Sequence, residues 1–262
     1  MVTDELVTDR AVPVAPVDID RAKENLIARQ ETHLDSLAER LREPRVRAIL
    51  APMLAGGTPS ELPTDDVRFV IDLGLLRMGD TGGLEVSNPI YREIIVKDLT
   101  LSSRASLPSI QPTWLRPDGR LDEDRLRDAF LVFWRRHGEP LLGTASYHEI
   151  APHLVLMAFL DRVANGGGTL EREYAIGRGR MDLCLKRGLD IVALELKVWR
   201  DGKPDPVTEG LAQLDGYLAG LGLDRGWLVV FDQRSGQPPL AERTTVKREV
   251  APSGRLVDVI RA

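Results

Sequence analysis

Asp182, Glu195 and Lys197 are the residues whose types and spacing point most directly to chemistry. They lie in two apolar runs, Arg180–Lys186 and Asp190–Val198, on either side of Gly188-Leu189. Gly followed by any residue is the spelling of a two-residue type II′ hairpin turn. Counting outward from that turn sets Asp182 directly opposite Glu195, and directly opposed residues of an antiparallel pair project from one face. Lys197, two residues beyond Glu195, joins them there. Opposed carboxylates repel. A divalent cation such as Mg²⁺ relieves the repulsion, because hard carboxylate oxygens are its preferred donors. The neighbouring lysine then orients a water or stabilises developing negative charge, which is the chemistry of metal-assisted phosphodiester hydrolysis. The plainer reading is a solvated hairpin face. Against it, Cys184, Ile191 and Ala193 share the face with the acids, and acids on a covered face are costly unless compensated.

The opposite face reads Met181, Leu183 and Leu185 against Val192, Leu194 and Leu196, which is a core face. After the hairpin a helix is expected over Pro206–Leu221. Gln213 and Tyr217 are four apart on it and share a face with Gly210 and Gly220, where the glycines permit close approach. Val207, Leu211, Leu214, Leu218 and Leu221 form its core stripe. Gln213 and Tyr217 are candidates to contact a phosphate or a water; otherwise they are a surface Gln and an amphipathic Tyr at the core's rim. Glu149 begins the helix before the first strand. Ser146-Tyr147-His148-Glu149 also spells a capping box, so Glu149 is either a helix cap or a peripheral ligand, and Pro152 allows a later helix start. Arg172, Arg178, Arg180, Lys186, Arg187, Lys197, Arg200 and Lys203 crowd the strands carrying the acids; they are either a solvated edge or a phosphate-contacting surface.

Strands are expected at Thr169–Ile176, Gly179–Lys186, Asp190–Arg200 and Gly226–Asp232, with a closing hairpin of Thr244–Val250 and Arg255–Ile260. Two helices precede them: the polar Asp122–His137, and an apolar helix ending near Asn165-Gly166-Gly167-Gly168. Helix, three meandering strands, helix and strand is an α/β arrangement with a mixed central sheet. Upstream, residues 1–17 are expected to be a poorly ordered tail. A helix is expected from Asp18 or Asp20, a second over Arg45–Leu54, and a third after Pro63-Thr64 that ends near Gly74. A short hairpin, Leu75–Met78 and Leu84–Ser87, and a helix from Asn88 to about Leu99 follow. Three helices and a hairpin resemble a winged-helix module. Its third helix starts with Asp65 and Asp66 and carries only Arg68, which suits packing or protein interaction better than DNA reading. Residues 101–120 read as a linker between a domain at 18–100 and one at 121–262.

The 262 residues suffice for two modest domains, each with a core. The formal charge of −5, from 35 basic and 40 acidic residues, argues against tight non-specific nucleic-acid binding. One cysteine, Cys184, excludes an internal disulfide and a thiolate metal site, and suits a reducing cytoplasm. The four histidines have no zinc spacing. No membrane-length apolar run, basic signal-peptide start, ATP-binding P-loop or nucleophile-elbow motif is present.

With Asp182, the spaced Glu195-Leu196-Lys197 and Gln213-x-x-x-Tyr217, the chain resembles the PD-(D/E)XK nuclease superfamily. Arg172-Glu173-Tyr174, Gly177-Arg178-Gly179-Arg180-Met181-Asp182-Leu183 and Gln213-Leu214-Asp215-Gly216-Tyr217 are similar to the nuclease domain at the C-terminus of predicted prokaryotic AAA-type ATPases. Thr32-His33-Leu34-Asp35-Ser36-Leu37, Leu41-Arg42-Glu43-Pro44-Arg45-Val46-Arg47, Asp72-Leu73-Gly74-Leu75 and Asn88-Pro89-Ile90-Tyr91 resemble the winged-helix segment that joins ATPase to nuclease there. The resemblance runs from about residue 20 to the end. It implies a restriction-endonuclease-like α/β domain with a mixed sheet, cutting DNA with Mg²⁺ or Mn²⁺. Asp182, Glu195 and the Leu196 carbonyl would be the metal ligands, Lys197 the catalytic lysine and Glu149 the first-helix acid. Gln213 and Tyr217 would be the accessory pair, with Arg178, Arg180 and Arg200 on the nucleic acid. The ATPase core is missing from this sequence, so the chain is expected to be a stand-alone derivative, a remnant or part of a split protein with a separate ATPase partner. The competing expectation is a catalytically silent nuclease-fold module that binds DNA or such a partner.

Overall fold

The structure, a computed structural model, describes residues 39–54, 62–79, 82–87, 95, 107–108, 110–144, 150–176 and 179–262. The chain divides into two compact units, Met1–Leu99 and Thr100–Ala262. The tail 1–17, most of the helix expected from Asp18 or Asp20, most of the helix expected from Asn88, and Ser146–Glu149 lie outside the described residues.

In the first unit, α1 (Pro44–Leu54) and α2 (Thr64–Asp72) precede a hairpin of β1 (Leu76–Met78) and β2 (Leu84–Val86). Pro44 opens α1, where its missing N–H is no loss. Asp65 and Asp66 occupy the first turn of α2, where carboxylates complement the helix dipole. The hairpin pairs Leu76 with Val86 and Met78 with Leu84. Val46, Ile49, Leu50, Val70, Leu75 and Leu76 are buried, and the Arg45 guanidinium lies 3.2 Å over the Phe69 ring.

The second unit is built on a six-stranded mixed sheet in the order β3-β4-β5-β6-β8-β7. The strands are β3 (Thr169–Ile176), β4 (Gly179–Arg187), β5 (Asp190–Trp199), β6 (Arg225–Asp232), β7 (Thr245–Val250) and β8 (Leu256–Arg261). β3, β4 and β5 form an antiparallel meander, β5, β6 and β8 run parallel, and β7 returns antiparallel on β8. A parallel pair needs a crossover, and α5 (Val207–Leu221) supplies the one from β5 to β6. β6 is buried over six consecutive residues, as expected of a strand covered on both faces.

One face of the sheet packs on α5. Cys184, Ala193, Leu228, Val230, Val257 and Val259 meet Leu214 and Leu218 there. The other face packs on α3 (Glu123–Thr144) and α4 (Ala151–Ala164), where the Trp134 and Phe231 rings are 5.4 Å apart and those of Phe130 and Phe159 5.5 Å apart. A short helix, α6 (Leu240–Arg243), leads into β7. Of the stretch 101–120, expected as a linker, Leu107 and Trp114 are buried in this unit. Trp114 meets Phe159 edge-on, so apolar anchoring overrides the Pro- and Ser-rich composition. α3 runs on to Thr144, past the expected end at His137, with Pro140 inside it.

α5 is seated by Gly210. A Cβ there would lie 2.6 Å and 3.0 Å from the two Leu228 methyls, and Leu228 is fully buried. Gly210→Ala gains about 1 kcal/mol of helix propensity, but overpacking a filled core costs about 1–3 kcal/mol. The expected result is a lower urea midpoint at unchanged slope. An unchanged or raised midpoint would show that α5 is not pressed onto β6.

Candidate functional site

The β4–β5 hairpin has the register the turn implies. Arg187 pairs with Asp190, Cys184 with Ala193 and Leu183 with Leu194, around Gly188 at φ 58°. The paired residues end at Leu183 and Leu194; past them Asp182 remains close enough for its charge to act on Glu195. The face assignment also holds. Leu183, Leu185, Val192 and Leu194 are buried on one side, while Cys184 and Ala193 lie on the acid side under α5. Burial drives the Cys184 thiol up to about 11, so it is an inert part of that core.

Beyond Leu183 the side chain of Asp182 takes a backbone role: its Oδ2 accepts the Leu196 N–H at 2.7 Å. That bond fixes the carboxylate beside the strand carrying Glu195 and Lys197. Glu195 is only 3% exposed. Its Oε1 lies 3.0 Å from Lys197 Nζ, while its buried Oε2 has no hydrogen-bond partner. Burial first, and then the charge of Asp182, push the Glu195 carboxyl above the ordinary carboxylate range. Burial works against the charge of Lys197, but Glu195 outweighs it and holds the ammonium above its usual value.

α5 completes the site. Gln213 Oε1 accepts a short hydrogen bond from Lys197 Nζ. Gln213 Nε2 donates to Glu209 Oε1 at 3.3 Å, and the same oxygen lies 3.5 Å from Lys197 Nζ. Tyr217, one turn further on, packs against the core cluster. Glu209 was not singled out in the sequence, although Glu209, Gln213 and Tyr217 repeat at four-residue spacing and share a helix face. Trp199, next on the face of Glu195 and Lys197, is a second omission. The Arg234 guanidinium lies 3.4 Å over its ring, and its indole donates to the Lys203 carbonyl at 3.0 Å.

Of the other expected site residues, Glu149 and Arg178 lie outside the described residues. Arg180 is placed by its backbone alone, paired with Ala175 in β3. Arg200 sits at the end of β5, and its charge joins burial in pushing His153 of α4 down to about 4. The His153 ring lies tilted against Phe231 at 5.2 Å, on the α3/α4 side of the sheet, so the charge of Arg200, the residue after the end of β5, acts on that side. Elsewhere in the basic run, Lys186 is neutralised by Glu171 at 2.8 Å.

Two carboxylates suit a hard divalent cation that keeps several of its waters, and the orphaned Glu195 Oε2 is an oxygen such an ion would satisfy. Among the described residues, no three His, Cys, Asp or Glu side chains form a metal-holding group. No described helix is long and apolar enough to cross a membrane. No family model, curated protein or solved structure matches the chain.

Proposed function

We propose that the second unit is a PD-(D/E)XK-type nuclease domain hydrolysing DNA phosphodiester bonds with Mg²⁺ or Mn²⁺. The observation that carries this reading is the buried, partnerless Glu195 Oε2 beside the amide-anchored Asp182 and the Lys197 ammonium. The mixed sheet, with its meander and α5 crossover, supports the same reading. So does the resemblance of its motifs to the nuclease portion of predicted prokaryotic AAA-type ATPases. The helix–helix–hairpin order of the first unit is compatible with a winged-helix-like module, proposed here to bind DNA or a separate ATPase partner.

Asp182, Glu195 and the Leu196 carbonyl would hold the ion. When bound, it supplies Lewis acidity to the phosphodiester and lowers the pKa of an attacking water. Lys197, fixed by Glu195 and Gln213, presents its ammonium to the negative charge that builds up at phosphorus. Gln213 positions that ammonium, with Glu209 bracing the amide.

Linear, circular and single-stranded DNA incubated with the protein and Mg²⁺ or Mn²⁺ should be cut. Loss of circular substrate identifies endonucleolytic cleavage. Binding without chemistry gives a second readout. A ligand at about one hundred times its Kd stabilises the folded state by about 2.7 kcal/mol, so the melting temperature should rise with Mg²⁺ or Mn²⁺ in the wild type and not in Asp182→Ala/Glu195→Ala. A shift without cleavage would support the silent interaction module, a reading favoured by the extent to which Lys197 is tied to Glu195, Glu209 and Gln213. Absence of both would remove the metal site.

A further inference from the structure

β7 closes one side of the six-stranded sheet, and no other described strand pairs with its outer edge. Such an edge presents unpaired N–H and C=O groups, which folded proteins normally blunt with proline, bulges, charge or a covering element. The sequence Thr245-Val246-Lys247-Arg248-Glu249-Val250 has no proline, and its six consecutive pairs with β8 contain no bulge; its three charged residues, Lys247, Arg248 and Glu249, carry both signs, so they repel most strands but not one of complementary pattern. Five of the six residues are exposed. Val250 is 63% exposed and lies opposite Leu256, itself 43% exposed.

The hydrogen-bond phase shows which groups are free to pair. Ala251 N donates to Arg255 O directly across the hairpin at 2.8 Å. Closely bonded and open pairs alternate along an antiparallel ladder, so Thr245, Lys247 and Glu249 direct their backbone groups inward to β8. Val246, Arg248 and Val250 direct theirs outward. A second copy pairing antiparallel by a two-fold axis must match outward residues with outward residues. The axis therefore falls on a residue, not between two.

With the axis on Arg248, Val246 meets Val250 twice on the α3 face, and Lys247 meets Glu249 twice on the other. Moving it to Lys247 or to Glu249 also opposes like charges at the centre and matches only two outward residues of β7 in each copy instead of three. The two central arginines are not bare: Arg248 donates to Asp258 at 2.8 Å and to Asp124 at 3.1 Å. Lys247 and Glu249 already pair along the strand at 2.5 Å, so pairing would exchange the two such contacts, one in each copy, for two across the axis.

We infer that β7 is a self-pairing edge, and that two copies of this chain join antiparallel through it. The axis lies at Arg248, giving one continuous sheet closed by about six backbone hydrogen bonds. The Lys247/Glu249 charges set the register and the Val246/Val250 pairs add apolar contact.

Sedimentation equilibrium of the full chain over a wide concentration range tests this. The wild type should dimerise reversibly. Lys247→Glu alone and Glu249→Lys alone should each weaken dimerisation by about tenfold or more, because each turns two opposed pairs into like charges. The double variant, Lys247→Glu with Glu249→Lys, should restore it. Val246→Pro removes an outward N–H without touching the ladder to β8, and should also give monomer. Circular dichroism of every variant should match the wild type. A monomeric wild type overturns the inference. So does a dimer indifferent to Val246→Pro, or a double variant weaker than either single one.

Discussion

Asp182→Ala and Lys197→Ala are each expected to reduce Mg²⁺-dependent DNA cleavage by about 10²–10³-fold, the usual loss when one preorganised electrostatic group is removed. The two substitutions should fail differently. Asp182 is anchored through the Leu196 amide, so its removal takes away both an oxygen donor and the acceptor of a backbone N–H. The metal-induced rise in melting temperature should then weaken along with the activity. Lys197 is no ligand. Its removal relieves no acid repulsion and should leave metal-induced stabilisation in place while cleavage is lost. Gln213→Ala frees the ammonium from one of its holders and should cause a smaller loss than Lys197→Ala. Measuring cleavage rates alongside melts with and without metal separates the roles. Full activity in either alanine variant would sink the assignment of this hairpin as the active site.

Asp258→Ala is expected to destabilise the second unit by about 3 kcal/mol, without touching the candidate site. Removing one partner of a buried ion pair costs about 3–5 kcal/mol, because the opposite charge is left unpaired. The lower end applies because Arg225 and Arg248 reach solvent. Asp258 is 3% exposed, and its carboxylate accepts from Arg127 at 2.8 Å, Arg225 at 3.1 Å and Arg248 at 2.8 Å. These bonds tie α3, β6, β7 and β8 together. Burial raises the carboxyl's pKa, but the guanidiniums of Arg248 and Arg127 outweigh it and hold it below the ordinary aspartate value. The folded pKa is therefore depressed. Its stabilising contribution is complete above the unfolded aspartate value and is lost as pH falls through the lower, folded one. Urea unfolding should show the deficit of the variant at neutral pH, and the gap to wild type should narrow in acid. A neutral-pH deficit under about 1 kcal/mol would mean that the network is solvated. The Mg²⁺ shift in melting temperature should survive in this variant, which distinguishes a loss of framework from a loss of site.

The strands of the second unit were legible because each carries a local signal. Gly188-Leu189 between apolar runs predicts the β4–β5 register, and that register is found. The covered state of the acid face followed from Cys184 and Ala193, small residues that now lie under α5. The crossover helix followed from its apolar stripe, of which Leu214 and Leu218 are fully buried. Trp114 was less legible. Pro- and Ser-rich neighbours mark a linker, yet its partner Phe159 is distant in sequence, so local composition carried no sign of the contact. Arg200 was grouped with the site as part of the basic run along the acid-bearing strands, although its charge acts on His153 of α4.

The sequence alone determined that two acids and a lysine share one face of one hairpin, because turn chemistry and the two-residue period of a strand are local rules. Only the tertiary structure decided how those groups are held. The Lys197 bonds to Gln213 and Glu209 depend on α5 crossing back over the sheet at the height set by Gly210 and Leu228. The partnerless state of Glu195 Oε2 depends on burial by residues far away in the chain. Desolvation and long-range contact energies arise from packing between elements, and no short stretch of sequence contains both sides of such a contact.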